Sequence, residues 1–265
     1  MEKILVAVAG ASGKMGREVV KAVSHEKDMA VSAAIDASHS GQDAGSLAGI
    51  GSLGISITPF LESAILSKKT DVIVDFTRYE AALTHLEIGL KHKIPCVIGT
   101  TGFREEDYKK IQEWCEKFET PALIAPNFAI GAVLLMKFAK EAAKYYRSSE
   151  IIELHHDKKL DAPSGTALRT ASLMKEARAE FENHPSEEKI SGVRGGEVNG
   201  IRIHSVRLPG FVAHEEVIFG GEGEVLTLRH DSLSRESFMP GVLIAVRKVR
   251  ELKGLVVGLE NIIES

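Results

Sequence analysis

The chain of 265 residues is short of the features that define several large protein classes. Its only cysteines, Cys96 and Cys115, form no Cys-x-x-Cys pair, which excludes a disulfide framework or a cysteine-built metal site and suggests reduced thiols. A basic excess is missing too: 33 Lys and Arg stand against 37 Asp and Glu, a net charge of −4, whereas duplex nucleic acid normally requires a dense basic patch. No apolar run approaches the roughly 18–20 residues that span a bilayer. The amino terminus enters an apolar stretch at Ile4 without signal-peptide architecture, so the expected location is cytoplasmic, with neither a membrane nor a nucleic-acid partner. What remains is an ordinary globular composition, long enough for about two domains at roughly 150 residues each and for a core needing no covalent staple.

Residues 4–9 form a short apolar run closed by Gly10, as expected of a strand buried on both faces. Similar runs at 31–35, 71–76, 95–99 and 122–125 are expected strands, with helices at about 14–23, 79–92 and 104–118. Alternating strands and helices imply an α/β fold, a Rossmann-like doubly wound parallel sheet. The pattern then changes. A long apolar helix is expected over about 130–146, a strand at 150–154, a helix at 165–182, a polar loop over 183–200 and strands bunched at 201–207, 211–219 and 224–230. Strands without intervening helices suggest an inserted α+β domain with an antiparallel or mixed sheet. A helix at 236–250 and a strand at 255–259 close the chain. The domains are therefore expected at 1–127 with 237–265, and at 128–236.

The segment Gly10-Ala11-Ser12-Gly13-Lys14-Met15-Gly16 lies between the first strand and first helix. A diphosphate must approach backbone amides at a helix amino terminus, where side chains would block it. The spacing G-x-x-G-x-x-G meets the usual dinucleotide fingerprint only loosely, and a ligand-free turn has the same composition. Asp36, ending the second strand, is suited to accept hydrogen bonds from an adenosine ribose, although a solvated strand-end aspartate looks identical in sequence. Two more strand ends, Gly99-Thr100-Thr101 and Ala125-Pro126-Asn127-Phe128, offer backbone groups for a nicotinamide or are simply polar turns.

The densest chemistry lies between Glu153 and Ala167: His155 and His156, Lys158 and Lys159, Asp161, then Pro163-Ser164-Gly165-Thr166 at the start of a helix. A helix amino terminus favours anions, and Ser164 with Gly165 and Thr166 would present a hydroxyl and amides to a carboxylate. Histidines and lysines upstream supply proton donors and positive charge. Each piece alone has an ordinary reading: solvated lysines, a serine cap, or histidines binding zinc, for which ligand spacing is absent. Their conjunction within fifteen residues points to a small polyanion undergoing proton chemistry.

The motif Glu153-x-His155-His156-x-x-Lys159-x-Asp161-Ala-Pro-Ser-Gly-Thr-Ala is very similar to the signature of the 4-hydroxy-tetrahydrodipicolinate reductase family. The resemblance continues through Asp75-Phe76-Thr77, the 99–103 segment, Asn127-Phe128, Gly131, residues 210–215, Ser234-Arg235 and Phe238. It implies NAD(P)H-dependent reduction of a cyclic dicarboxylate in lysine biosynthesis, by a homotetramer built through the second domain. It further implies that His155 is the acid/base and Lys159 a proton donor, and that His156, Gly165 and Thr166 bind substrate carboxylates. Cofactor positions implied are Gly10 to Met15, Asp36, Gly99 to Thr101, Ala125 to Phe128, Arg235 and Phe238.

Ala37 stands where some relatives carry an arginine suited to a 2′-phosphate, and His39 and Lys14 are the nearby cations visible in sequence. A 2′-phosphate would bring about −1.5 to −2 charges beside Asp36, so dual use of NADH and NADPH with a tilt to NADH is expected. Rival readings are another reductase of a carboxylated imine on a similar scaffold, and a nicotinamide-sensing regulator. The motif weighs against the first. The second would need no proton donors beside an anion site.

Overall fold

The computed structural model describes residues 2–182 and 184–263. In chain order the first elements are β1 (Ile4–Ala9), α1 (Lys14–His25), β2 (Met29–Ile35), α2 (Ala44–Ala48), β3 (Ile57–Thr58) and α3 (Leu61–Ser67). Next come β4 (Val72–Asp75), α4 (Tyr79–Lys91), β5 (Cys96–Ile98), α5 (Glu105–Lys117) and β6 (Ala122–Ile124). A second group follows: α6 (Ile130–Ala142), β7 (Ser148–His155), α7 (Gly165–Ala177), β8 (Gly196–Val198), β9 (Ile201–Arg207), β10 (Ala213–Gly221) and β11 (Glu224–Ser232). A 3-10 turn (Arg235–Phe238), α8 (Met239–Lys248) and β12 (Leu255–Val257) end the chain. By compactness the chain divides between residues 128 and 129 and again between 237 and 238, the first unit comprising both ends.

The first unit contains a seven-stranded sheet in the order β12-β6-β5-β4-β1-β2-β3, parallel throughout. Its central strands are apolar on both sides because helices cover both faces: every residue of Val72–Asp75 and of Cys96–Ile98 is buried. The order reverses between β1 and β4, and ligands of open α/β sheets bind beyond the carboxyl ends of strands at such a switch. Cys96 and Cys115 are buried free thiols in this core.

The second unit contains a mixed five-stranded sheet, β11-β10-β7-β9-β8, in which β7 and β9 are parallel and the other pairs antiparallel. Alternation along the strands sends Ile151, Ile203, Val217 and Phe219 into a core with Leu135 and Ala139 of α6 and Ala171 and Met174 of α7.

Several sequence expectations are corrected. The loop expected over 183–200, whose first residue lies outside the described ones, contains β8; Asn199 and Gly200, both at positive φ (58° and 80°), make the tight turn that pairs Val198 with Ile201. Asn-Gly is a strong hairpin signal, hidden here by the polar, glycine-rich surroundings. The helix expected to reach 182 stops at Ala177, because Arg178 turns extended and its guanidinium caps α6 through the Ala143 and Lys144 carbonyls. The expected helix over 130–146 is likewise shorter: α6 ends at Ala142, and the carbonyls just beyond it accept from Arg178. The short elements α2, β3 and α3 carry too little periodicity to be read from sequence. No helix among the described residues is long and apolar enough to cross a membrane.

Candidate active site

At the switch point the backbone makes the shape. Gly10 adopts φ +80°, and a Cβ there would lie 2.8 Å from the carbonyl oxygen of Phe76, the residue after β4 across the reversal. Gly16 is tighter: its Cβ would sit 1.9 Å from the Gly10 carbonyl oxygen, so α1 reaches the loop only because residue 16 has no side chain. Gly13 is the N-cap of α1, and no side chain caps that end. A cradle with its amide end clear of side chains fits a dinucleotide diphosphate. Ala11 and Ser12 are buried beneath it, and Lys14 and Met15 begin the helix.

The Asp36 carboxylate ties this loop to β2, accepting from the Ser12 amide at 3.0 Å and the Ser38 amide at 2.8 Å. Sequence reasoning counted only Lys14 and His39 as local cations. The structure adds Arg17, whose Nε donates to the Ser12 carbonyl at 2.8 Å.

The two neighbouring strand ends are organised by Asp75, fully buried at the end of β4. Its Oδ1 accepts from the Thr77 amide (2.7 Å), the Thr77 hydroxyl (2.6 Å) and the Thr100 hydroxyl (3.3 Å), and its Oδ2 lies 2.6 Å from His85 Nδ1. The Thr100 hydroxyl is thereby turned inward, while Gly99 and Thr101 offer backbone. The Ala125 amide donates to the Ile98 carbonyl, and Phe128 is buried against Phe76 with ring centroids 5.6 Å apart. Ala125 and Phe128 are thus limited to backbone contact with a ligand, whereas Pro126 is exposed and Asn127 half-buried. Arg235 is exposed and Phe238 half-buried at the two ends of the 3-10 turn.

In the second unit side chains make the site, and a residue given no role from sequence is its hub. Glu153, fully buried on β7, points to the same face as His155 two residues later. Its Oε2 lies 2.5 Å from His155 Nδ1, and both oxygens accept from Arg207, at 2.8 and 2.7 Å. The Ser164 amide donates to Oε1 at 3.3 Å, so the same carboxylate anchors the start of α7. Burial would raise the Glu153 carboxyl, but hydrogen bonds from His155, Arg207 and Ser205 outweigh it and hold it at about 2.

Arg207 also donates to the Asp161 carbonyl at 2.7 Å, while the Asp161 carboxylate receives Lys159 Nζ at 2.8 Å on each oxygen. The Lys159 bond holds the Asp161 carboxyl below its usual range. One continuous set of contacts therefore links His155, Lys159 and the amino end of α7. His156 has a buried Nδ1 without a hydrogen-bond partner, the kind of orphaned polar atom that a ligand satisfies. Ser164 is buried as the N-cap, its hydroxyl accepting from the Ala167 amide at 3.2 Å, so that oxygen serves its own helix. Gly165 is exposed with open space where a Cβ would stand, and Thr166 is half-buried beside it. Among the described residues no group of three His, Cys, Asp or Glu side chains suits a metal ion.

Two family models cover the chain, "Dihydrodipicolinate reductase, N-terminus" over residues 4–128 and "Dihydrodipicolinate reductase, C-terminus" over residues 131–263. A 4-hydroxy-tetrahydrodipicolinate reductase of Desulfitobacterium hafniense is 54% identical over 100% of both chains. One of Moorella thermoacetica is 49% identical over 98% of each. Among solved structures, dipicolinate-bound dihydrodipicolinate reductase from Paenisporosarcina sp. TG-14 superposes with a TM-score of 0.86 at 45% identity, covering 98% of this chain and 100% of the other.

Proposed function

The chain belongs to the dihydrodipicolinate reductase family, and on that premise we propose how its residues carry out the NAD(P)H-dependent reduction of (4S)-4-hydroxy-tetrahydrodipicolinate. The product is tetrahydrodipicolinate, formed with loss of water in diaminopimelate and lysine biosynthesis. The first unit holds the coenzyme through the Gly10 to Met15 loop, Asp36, the backbone at 99–101 and 125–128, and Phe238. Bound there, a reduced nicotinamide supplies the hydride that is added at C4 of the substrate ring.

Hydride arrival leaves negative charge on a conjugated ring, and a positioned acid must return a proton. His155 fits that task because Glu153 accepts from Nδ1–H, which fixes the tautomer and leaves Nε2 to hold or transfer the proton. Lys159 is the second donor. Its Asp161 partner is largely exposed, and such pairs contribute only about 0–1 kcal/mol, so the ammonium is released to substrate at little cost. His156 and the Gly165–Thr166 end of α7 take the substrate carboxylates, fixing the ring for reaction.

The observation that carries this reading is the unbroken contact series from His155 through Glu153, Arg207 and Asp161 to Lys159, with the Ser164 amide on the same glutamate. Asp36 at the ribose position and the absence of an arginine at residue 37 support use of both coenzymes with a tilt to NADH. Arg17, bonded to the same loop at the Ser12 carbonyl, is a nearby cation that supports use of NADPH as well. Assembly as a homotetramer through the sheet face opposite α6 and α7, where Val225 is exposed, belongs to the same reading. The test is nicotinamide oxidation by the purified protein coupled to the synthase that supplies the substrate, with each coenzyme in turn. Oxidation dependent on the synthase, with kcat/KM for NADH at least equal to that for NADPH, is the expected result. No oxidation overturns the reaction, and a tenfold preference for NADPH overturns the tilt.

A further inference from the structure

A row of four polar side chains crosses the second sheet on the face covered by α6 and α7. Strand register sets Ser205 beside Glu153, Glu153 beside Glu215, and Glu215 beside His230. Directly opposed residues have Cβ atoms about 4.5–5.5 Å apart, so the two glutamates are immediate neighbours. Both are out of water, at 0% and 4% exposure. Their partners differ. Glu153 has Arg207 and His155, whereas Glu215 Oε1 meets the Thr170 hydroxyl at 2.5 Å and Oε2 is buried without a hydrogen-bond partner.

Counting protons leaves two arrangements at Thr170. Thr170 Oγ1 also lies 3.0 Å from the Thr166 carbonyl oxygen one helical turn back. A hydroxyl has one proton, so Thr170 donates either to Glu215 Oε1 or to the Thr166 carbonyl. An ionised Glu215 takes that proton itself, whereas a protonated Glu215 can donate its own O–H to Thr170 and leave the hydroxyl proton for Thr166. Burial pushes the Glu215 carboxyl up to about 7; donation from Thr170 to the ionised form opposes this, and the charge of Glu153 adds to the rise. From β11 the facing group is His230, which burial shifts toward its neutral form. From α7 it is Thr170, and α6 meets the row at Gly131, against the His230 ring.

We propose that Glu215 is a positioning residue that works as a neutral carboxylic acid: its O–H holds Thr170, Thr170 holds the Thr166 carbonyl, and the first turn of α7 is fixed for the substrate carboxylate. This rests on the reading of that helix end as the dicarboxylate site. Loss of the proton turns the Thr170 hydroxyl back toward Glu215 and away from the Thr166 carbonyl. It also sets a second charge against Glu153, the residue that orients His155. The site loosens as pH rises through the ionisation of Glu215.

The experiment compares kcat/KM against pH for the wild type, Glu215→Gln and Glu215→Ala, alongside isotope-edited infrared spectra of the wild type and the Gln variant. The amide of glutamine can donate to Thr170 at every pH. The expected result is a wild-type rate that falls above about pH 7, rescue by Gln without that fall so that it exceeds the wild type several-fold on the alkaline side, and low activity of Ala throughout. Ionisation of His155 and Lys159 is common to the wild type and the Gln variant, so their difference isolates Glu215. A protonated-carboxyl band in the acid-side wild-type spectrum, missing from the Gln variant, is expected as well. A wild type without that band, or superimposable pH profiles, overturns the proposal.

Should the Gln variant fail to fold, the wild type alone decides. Loss of the infrared band and loss of affinity for pyridine-2,6-dicarboxylate must share one midpoint, and separate midpoints overturn the proposal. A wild type that binds this dicarboxylate at no pH defeats the reading of the helix end itself, whatever the spectrum shows.

Discussion

At the end of β1 the loop from Gly10 to Gly16 is shaped by what is missing: side chains are absent where helix and strand meet, and a carboxylate anchors the loop only from its edge. At the end of β7 the opposite holds, since Glu153, Arg207, His155, Lys159 and Asp161 form a charged network around a buried carboxylate. Both places are suited to anions at a helix start. The first should respond mainly to added volume, because steric repulsion does not depend on proton concentration. The second should respond to charge and pH, because its geometry is set by ionised groups.

Removing a charge from the second site is the strongest way to break this contrast. Lys159→Ala should lower kcat by about 10²–10⁴-fold while the dissociation constant for NADH stays at its wild-type value, measured by steady-state kinetics and coenzyme titration. Wild-type turnover in that variant would remove Lys159 from the proton transfer.

Adding one methyl group tests the first site. Gly16→Ala forces a Cβ against the Gly10 carbonyl, and overpacking of this kind costs about 1–3 kcal/mol. If the loop moves to make room, the dissociation constant for NADH should rise on the order of 5- to 100-fold, with a smaller change in kcat at saturating coenzyme. A drop in melting temperature with unchanged NADH affinity would instead show that the strain is absorbed away from the loop.

The smallest effect sharpens the comparison within the second site. Thr166→Val keeps the shape beside Gly165 and deletes a hydroxyl, and charge-assisted hydrogen bonds contribute about 1.5–3 kcal/mol. Calorimetry with pyridine-2,6-dicarboxylate should show affinity weakened about tenfold or more. Unchanged affinity would assign the carboxylate to other groups.

The same contrast explains what could be read in the sequence. The parallel sheet and its loops were legible because short apolar strands and glycines report on local sterics, and because strands and helices alternate along the chain. His155, Lys159 and Thr166 were legible as a local motif, and their contacts are partly local too. Arg207 was not, because nothing near it in sequence signals that β9 will pair with β7 and set it opposite His155. Glu215 escaped for the same reason: its importance comes from lying across from Glu153. Arg17 is close to the loop in sequence, but its bond to the Ser12 carbonyl depends on the turn of α1. Asn199-Gly200 carried a usable hairpin signal that its polar surroundings obscured.

The pairing of Arg207 with Glu153 also bears on how the second unit acquires its structure. The two residues are 54 positions apart and belong to parallel strands, so their contact forms only after a long crossover has closed. A slip of one residue between β7 and β9 would send the guanidinium to the opposite face. Glu153 would then be buried with its main counter-charge gone, and breaking a buried pair in this way costs about 3–5 kcal/mol. A misaligned sheet is thus penalised beyond what its apolar residues alone would ensure. The buried carboxylate favours the one strand alignment that also brings Arg207, His155 and Lys159 together.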